Sequence, residues 1–252
     1  MENVLYERVG AASLLTINRS ERRNAIDGQT AEELLAGYRS FESDEDARVL
    51  VVTGSGEKAF SSGADLKAIE TLGPRVDSVE GVLGFTRLVS PKPTIAAISG
   101  WCVAAGLVLA LWCDLRIATE DARFGFPDRK WGVPILDGGT MRLASTVGVS
   151  KALELAMTGR EIDAAEAHRL GLVNELVANG RHVERSLELA ELLAGFPQDT
   201  LRADRQAIRQ SLDRALLDSF AGDAEVARAT ADAATRGAGE FSAGGRQSVH
   251  RR

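Results

Sequence analysis

The chain has 252 residues, which corresponds to one large domain or to one domain with an appendage. Hydrophobic residues make up 44% of the sequence and charged residues 26%, so the chain can bury a sizeable core. The net charge of −6 creates no overall basic field. Nucleic acid and an anionic membrane surface are therefore not expected as partners.

The two cysteines, Cys102 and Cys113, lie in an apolar stretch without the Cys/His spacing of a metal site. We expect buried thiols and no metal. The longest apolar run, residues 101–112, is too short to span a bilayer. The N-terminal residues lack the basic and apolar segments of a secretory signal, so the cytoplasm is the expected location.

The first half of the chain alternates apolar strands with helical patterns. Two β-type runs at residues 4–6 and 14–17 predict an opening hairpin. Apolar spacing over residues 30–41 predicts one face of a helix. This alternation predicts an α/β fold. Further buried strands are predicted at residues 49–53, 94–98 and 115–118, and a buried helix at 105–112.

The second half contains few strand signals and predicts a mainly helical region. Asp163, followed by Glu166, has the spacing of a helix-capping pair. The last stretch, from Gly237, is rich in glycine and arginine, and we expect it to be loose or ordered only by a neighbouring subunit. The helices are predicted at residues 151–158, 163–169, 183–193, 200–212 and 214–235.

Two turns of small residues carry most of the chemical information. Residues 54–66 and 100–107 each follow a predicted strand and lead into a predicted helix. Small residues allow a ligand close to the backbone, and a helix start leaves amide N–H groups without partners. Two such amides directed at one oxygen would form an oxyanion hole, where one donor lowers a barrier by ~3 kcal/mol. Either turn alone is also compatible with ordinary strand-to-helix geometry.

A series of short motifs gives these turns a wider context. It resembles the crotonase superfamily, the enoyl-CoA hydratase/isomerase family, over roughly residues 4–220. Several motifs in order are far more specific than any one of them. The motifs are Asn24-Ala25-Ile26, Ala59-Phe60-Ser61-Ser62-Gly63-Ala64-Asp65-Leu66, Ala104-Ala105-Gly106, Cys113-Asp114, Phe124-Gly125, Gly138-Gly139-Thr140, Leu155-Ala156-Met157-Thr158-Gly159 and Gly171-Leu172-Val173.

The resemblance implies a core of repeated ββα turns at residues 1–195 and a helical C-terminal trimerisation region at 196–252. It implies homotrimers, often paired into hexamers. The implied ligand is an acyl-CoA thioester, in which coenzyme A enters as part of the substrate rather than as a separate cofactor.

The resemblance also implies roles for particular residues. By position, Ala64 and Ala105 would provide the oxyanion-hole amides. Arg23 lies where family members contact the CoA phosphates or adenine, and Arg22 is adjacent to it, although a solvated turn is the alternative for both. The implied CoA-binding segment also contains Ser62, Ala64, Asp65 and Leu66.

The chain departs from the family pattern at the proton-transfer positions. Hydration needs a base for water and an acid for the α-carbon, and typical hydratases use two glutamates. The first position here is Val108, and the second is Asp128. The carboxylate of Asp128 would be displaced by ~1.5 Å relative to a glutamate, which can matter greatly. The two-glutamate mechanism is therefore in doubt, and a surface ion pair with Arg129 or Lys130 is the alternative for Asp128.

Asp137 is a second candidate for catalysis, since it directly precedes Gly138-Gly139. Dienoyl-CoA isomerases and chlorobenzoyl-CoA dehalogenases carry a functional aspartate at or close to this position. The alternative is a helix N-cap, for which aspartate is favoured.

These residues support an enzyme that isomerises or hydrates an enoyl-CoA through a stabilised enolate, with Asp137 and Asp128 moving protons. Two alternatives remain. One is an acyl-CoA hydrolase in which Asp137 directs a water, and the other is a non-catalytic acyl-CoA carrier or sensor, which Val108 motivates.

Overall fold

The fold is a pair of β-sheets with helices around them, seen in a computed structural model that describes residues 2–244. The strands are β1 (Val4–Val9), β2 (Ala12–Ile17), β3 (Val49–Gly54), β4 (Ala59–Ser61), β5 (Thr94–Ile98), β6 (Trp101–Val103), β7 (Leu115–Thr119), β8 (Arg123–Gly125), β9 (Glu161–Asp163) and β10 (Glu175–Val177). The α-helices are α1 (Gly28–Ser43), α2 (Ala105–Trp112), α3 (Gly139–Val147), α4 (Val149–Thr158), α5 (Ala164–Arg169), α6 (His182–Ala194) and α7 (Gln198–Ser242).

The larger sheet has the strand order β1-β2-β3-β5-β7-β10, and the smaller sheet has the order β4-β6-β8-β9. Strands β2, β3, β5, β7 and β10 run parallel, and β1 forms the predicted antiparallel hairpin with β2. Each of the pairs β3–β4, β5–β6 and β7–β8 places one strand in each sheet. This arrangement confirms the predicted ββα spiral and its α/β class.

The spiral places three chain segments at one edge of the smaller sheet. Strands β4, β6 and β8 are parallel neighbours, so their C-terminal ends lie at the same edge. Ala64 follows β4, Ala105 follows β6 and Asp128 follows β8. Residues that are distant in sequence are therefore brought together by strand pairing alone.

Both faces of the larger sheet are buried, which explains its nearly continuous apolar strands. On one face, Val49, Val51 and Ile95 pack against helix α6. On the other face lies the main core, which contains the buried helix α2. Tyr38, Phe85 and Trp112 form an aromatic cluster there, with ring centroids 4.6–5.7 Å apart.

The C-terminal region differs from the sequence prediction. Residues 198–242 form one helix rather than the two predicted at 200–212 and 214–235. Arg209 pairs with Asp213 at 3.2 Å, one turn apart, so the predicted break is spanned by an i,i+4 contact. The helix also continues past Gly237, which was predicted to begin a loose tail. The rest of that tail, residues 245–252, lies outside the described residues.

Asp114 attaches helix α7 to the core. Its carboxylate accepts from Arg205 Nε at 2.7 Å and from Arg209 Nη1 at 3.0 Å, and it also accepts from the amide of Thr94 at 2.8 Å. These side chains are largely buried. The two ion pairs therefore join the C-terminal helix to the segment between α2 and β7, beside the first residue of β5.

We predict that Asp114→Ala destabilises the protein by about 2–4 kcal/mol, because the largely buried Arg205 loses its ion pair and Arg209 keeps only its pair with Asp213. The midpoint of thermal unfolding should fall by roughly 5–15 °C. Asp77→Ala is the control, since it removes an exposed ion pair between Asp77 and Arg228. Such pairs contribute about 0–1 kcal/mol. Equal effects of the two substitutions would contradict this account of how α7 is held.

No helix within residues 2–244 has the length and apolar character needed to cross a bilayer. The division at residues 195/196, the trimeric or hexameric assembly and the cytoplasmic location stay predictions.

Candidate active site

A cavity of about 890 Å³ lies at the edge where β4, β6 and β8 end. Much of its wall is apolar, with side chains such as Leu72, Val82 and Ile135. All the residues singled out from the sequence contribute to its lining, namely Arg22, Arg23, Ser62, Ala64, Asp65, Leu66, Ala105, Asp128 and Asp137. The structure thus brings the predicted residues together, while their roles stay predictions.

The loop before helix α1 is tied to the first small-residue turn by Asn24. Its Nδ2 donates to the carbonyls of Ser55 at 3.0 Å and Ala59 at 2.7 Å, and its Oδ1 accepts from the amide of Arg19 at 3.0 Å. Asn24 has a φ of 54°, a left-handed conformation that asparagine tolerates better than most residues. The Asn-Ala-Ile motif is therefore a structural tie beside the cavity.

Asp65 is engaged inside the protein. One carboxylate oxygen accepts from Arg19 at 3.1 Å, and the other accepts from the amide of Lys67 at 3.1 Å. Asp65 therefore caps the helix that follows, Leu66–Arg75. The helix predicted to follow this turn is present, but it is a 3₁₀ helix with a kink at Ala68.

Arg22 and Arg23 are exposed at the mouth of the cavity. Within residues 2–244, neither guanidinium forms an ion pair or a side-chain hydrogen bond. Two uncommitted guanidinium groups at a cavity mouth are suited to bind phosphate.

The amide of Ala64 is left without an acceptor by the local strand pairing. Ile26 N donates to Gly63 O, and Asp65 N donates to Ile26 O, both at 2.8 Å. This parallel bridge uses the residues on either side of Ala64 and leaves its own N–H unpaired among residues 2–244.

The amide of Ala105 has no acceptor in the described part of the chain for a different reason, since Ala105 is the first residue of α2. The two turns touch, because a Cβ on Gly63 would lie 2.8 Å from the Ala105 nitrogen. Gly63 also has a φ of 92°, so both the close approach to Ala105 and the backbone conformation exclude a side chain at this position. Two unpaired amides from adjacent turns thus line one cavity.

Ala104 holds the second turn in a conformation that sequence reasoning missed. Its φ of 53° and ψ of −131° lie outside the regions that non-glycine residues favour, at a cost of about 1–3 kcal/mol. Its N–H donates to Gly125 O at 2.9 Å, and its carbonyl accepts from Leu107 N at 3.0 Å and Val108 N at 3.2 Å. The surroundings therefore enforce the turn that starts α2 at Ala105.

Asp128 is a buried carboxyl without an ionic partner. It is 8% exposed, and its Oδ1 has no hydrogen-bond partner among the described residues. Burial raises the pKa of Asp128 to about 7. The alternative of a surface ion pair with Arg129 or Lys130 is wrong, because the residue is buried and no such pair forms in the described chain.

Asp137 has the opposite environment. It is 1% exposed, its Oδ1 lies 3.0 Å from Arg87 Nε, and its Oδ2 accepts from Thr86 Oγ1 at 2.5 Å. It is not the N-cap of α3, since Gly138 occupies that position. No sequence signal pointed to Arg87, which lies 50 residues from Asp137 and in no motif.

Helix α7 forms one wall of the cavity in the same chain. Ala227, Ala231 and Phe241 line the cavity, and the Phe241 ring meets Trp131 edge-on at 5.4 Å. The backbones of α7 and the segment 127–131 are in contact, because a Cβ on Gly237 would lie 1.9 Å from Trp131 O. Gly237 thus allows helix α7 to pack closely against the segment 127–131.

Two sheets wound in ββα units, with two unpaired amides at one edge, define the crotonase class of fold and site. A family model described as enoyl-CoA hydratase/isomerase matches residues 7–244. The chain belongs to this family.

Relatives agree with this assignment. A probable enoyl-CoA hydratase of Rhizobium meliloti is 39% identical over 225 residues, covering 87% of this chain and 86% of the relative. A short-chain-enoyl-CoA hydratase of Clostridium acetobutylicum is 33% identical over 230 residues, covering 90% and 88%. A crystal structure of a carnitinyl-CoA hydratase from Mycobacterium avium matches with a TM-score of 0.86 at 30% identity, covering 97% of both chains.

We predict that Asp128→Asn stabilises the protein more at pH 8 than at pH 5. The raised pKa means that the stability linked to the protonated Asp128 is present below about pH 4 and is lost as the pH rises towards 7. The advantage of the asparagine variant should grow by roughly 2–3 kcal/mol between the two pH values. Thermal unfolding midpoints at both pH values measure this, and an equal difference at both would refute the assigned burial effect.

Proposed function

We propose that the protein binds an acyl-CoA thioester and moves a proton beside its carbonyl group, with double-bond isomerisation of an enoyl-CoA as the reaction. One observation carries the proposal: two amides without an acceptor among residues 2–244 share a cavity with a buried carboxyl, Asp128, that has no ionic partner among the same residues. Amides stabilise an oxyanion, and a carboxyl with a pKa near 7 can exchange protons at neutral pH.

Coenzyme A fits the chemistry of the cavity mouth. Arg22 and Arg23 offer two uncommitted cations for its phosphates, while the apolar interior suits an acyl chain. The three relatives described above are named as hydratases of CoA thioesters, which supports the same ligand class. In this proposal coenzyme A arrives with the substrate, and the reaction needs no further cofactor.

The proposed reaction begins with the thioester oxygen accepting hydrogen bonds from Ala64 N and Ala105 N. The Asp128 carboxylate removes a proton from the α-carbon of a 3-enoyl-CoA, and the electron pair delocalises onto the thioester oxygen. The protonated Asp128 then returns this proton to the γ-carbon, which leaves a 2-enoyl-CoA. Each hole donor lowers the barrier by ~3 kcal/mol, because the charge on oxygen develops only as the enolate forms.

Val108 is the reason for preferring isomerisation to hydration as the proposed reaction. It lines the cavity, is 2% exposed and cannot transfer a proton. One carboxyl suffices when the same proton leaves and returns, whereas hydration must both activate a water and protonate a carbon.

Hydration is the second candidate, and the names of the relatives favour it. In that reaction Asp128 would have to serve both steps. A hydrolase using Asp137 receives less support, since both of its oxygens are engaged by Arg87 and Thr86. A passive carrier would have no use for an unpaired buried carboxyl, which costs stability.

The proposal is tested by incubating the protein with 3-enoyl-, 2-enoyl-, dienoyl- and saturated acyl-CoAs and analysing the products by mass. We expect a 3-enoyl-CoA to gain the ultraviolet absorbance of a conjugated thioester without a change in mass. A product heavier by one water would assign hydration instead, and free coenzyme A would assign hydrolysis. Binding of saturated acyl-CoA without turnover of any unsaturated one would overturn the proposal.

We predict that Asp128→Asn lowers kcat by about 10²–10⁴-fold, the usual contribution of a general acid–base group. In the unmodified protein, kcat/KM should rise with pH and level off above about pH 7, because the group must be ionised to accept a proton. Asp121→Asn, an exposed aspartate in the turn before β8, is the matched control and should leave kcat little changed. A pH profile without that rise would argue against Asp128 as the base.

A further inference from the structure

Residues 76–93 contain no helix or strand, and residues 81–86 within this segment are buried. Phe85 lies in the aromatic cluster of the core, and the indole of Trp112 donates to Leu88 O at 2.8 Å. Val82 and Leu83 line the cavity. A buried irregular segment must find partners for its polar groups elsewhere, so its position depends on specific contacts.

Asp137 provides these contacts from the opposite wall. Its Oδ2 accepts from Thr86 Oγ1 at 2.5 Å and lies 3.3 Å from the amide of Leu83, while Arg87 Nε faces Oδ1 at 3.0 Å. Gly81 leaves room for this arrangement, because a Cβ there would lie 3.0 Å from Asp137 Oδ2. A single carboxylate therefore contacts the segment at three residues, Leu83, Thr86 and Arg87.

Two further contacts tie the same place to the rest of the fold. Arg142 of α3 donates to Thr86 O at 2.8 Å and also to the carbonyl of Asp137. Asp223 of α7 accepts from the amide of Gly138 at 2.7 Å. The Arg87 guanidinium also lies 5.6 Å from the centre of the Phe220 ring of α7. Segment 76–93, helix α3 and helix α7 thus meet around Asp137.

This cluster lies beside the apolar interior of the cavity. Leu83 bonds to Asp137 through its amide and lines the cavity, and Leu136, directly before Asp137, lines it as well. Both leucines are therefore positioned by the Asp137 cluster. Arg22 and Arg23, at the exposed mouth, are not part of it.

We propose that Asp137 is a positioning residue that, with Thr86 and Arg87, fixes Leu83 and Leu136 and thereby sets the acyl-chain length that the cavity accepts. The inference rests on the proposed acyl-CoA function, and it gives Asp137 a role other than proton transfer. Its Oδ2 accepts from Thr86 and its Oδ1 forms an ion pair with Arg87, both in segment 76–93, whereas Asp128 has no ionic partner among residues 2–244. Loss of the contacts releases the wall and lets longer chains compete.

The test compares Asp137→Asn, Thr86→Val and Arg87→Lys, with Thr86→Ser as the conservative rescue that keeps the hydroxyl. Affinities for saturated acyl-CoAs from butyryl to lauroyl are measured by calorimetry, so turnover is not required. We expect the three variants to change the ratio of long-chain to short-chain affinity by roughly tenfold, and Thr86→Ser to restore it. Asp218→Asn, an exposed aspartate on α7, is the matched control.

A second readout does not depend on any ligand. Hydrogen exchange of the amides in residues 80–88 should become roughly tenfold faster in the three variants and stay unchanged in the control. The rise of kcat/KM with pH that is assigned to Asp128 should persist in Asp137→Asn. If that variant is poorly folded, Thr86→Val and Arg87→Lys carry the test.

Two results would overturn the inference. One is loss of turnover and of the pH-dependent rise in Asp137→Asn, with chain-length selectivity and exchange unchanged, which would make Asp137 the proton-transfer group. The other is unchanged selectivity in both Thr86→Val and Arg87→Lys. A failure of the proposed function itself would appear differently, as absent acyl-CoA binding in the unmodified protein while the exchange measurement still reports on the contacts.

Discussion

The site depends on the parallel pairing of β4, β6 and β8 in the smaller sheet. Because these strands end at one edge, the turns that contain Ala64, Ala105 and Asp128 lie around one cavity. Two amide donors stay unused at this edge among residues 2–244, because the separate bridge at Ile26 engages the residues flanking Ala64 and because α2 begins at Ala105. The candidate oxyanion hole is therefore a by-product of backbone hydrogen bonding, and no side chain is needed to form it.

Two aspartates that line the same cavity have different environments, and these environments suit them to different roles. Asp128 is buried without an ionic partner, and burial raises its pKa to about 7. Asp137 is buried more deeply, but Arg87, Thr86 and the Leu83 amide surround its carboxylate. The first arrangement leaves a carboxyl available for proton exchange, and the second ties a carboxylate to one segment of the cavity wall.

Membership of the enoyl-CoA hydratase/isomerase family and the local chemistry point to different reactions. The relatives are named as hydratases, while Val108 leaves one of the two proton-transfer positions of the resemblance apolar. The fold and the paired amides serve either reaction, because both pass through charge on the thioester oxygen. Which of the two reactions occurs therefore depends on how many groups near the substrate can transfer a proton.

The sequence by itself determined the strand pattern, the two small-residue turns, the family and the apolar Val108, because each of these is a local property of neighbouring residues. It was wrong about two separate helices at residues 200–235 and about a loose chain over residues 237–242, which form one continuous helix. In the second case, a glycine-rich stretch predicts a loose chain, whereas Gly237 permits close contact with Trp131. Only the tertiary structure decided that Asp128 is unpaired and that Asp137 meets Arg87. Burial and ion pairing depend on which distant residues the fold places beside a carboxyl, and no short stretch of sequence contains that information.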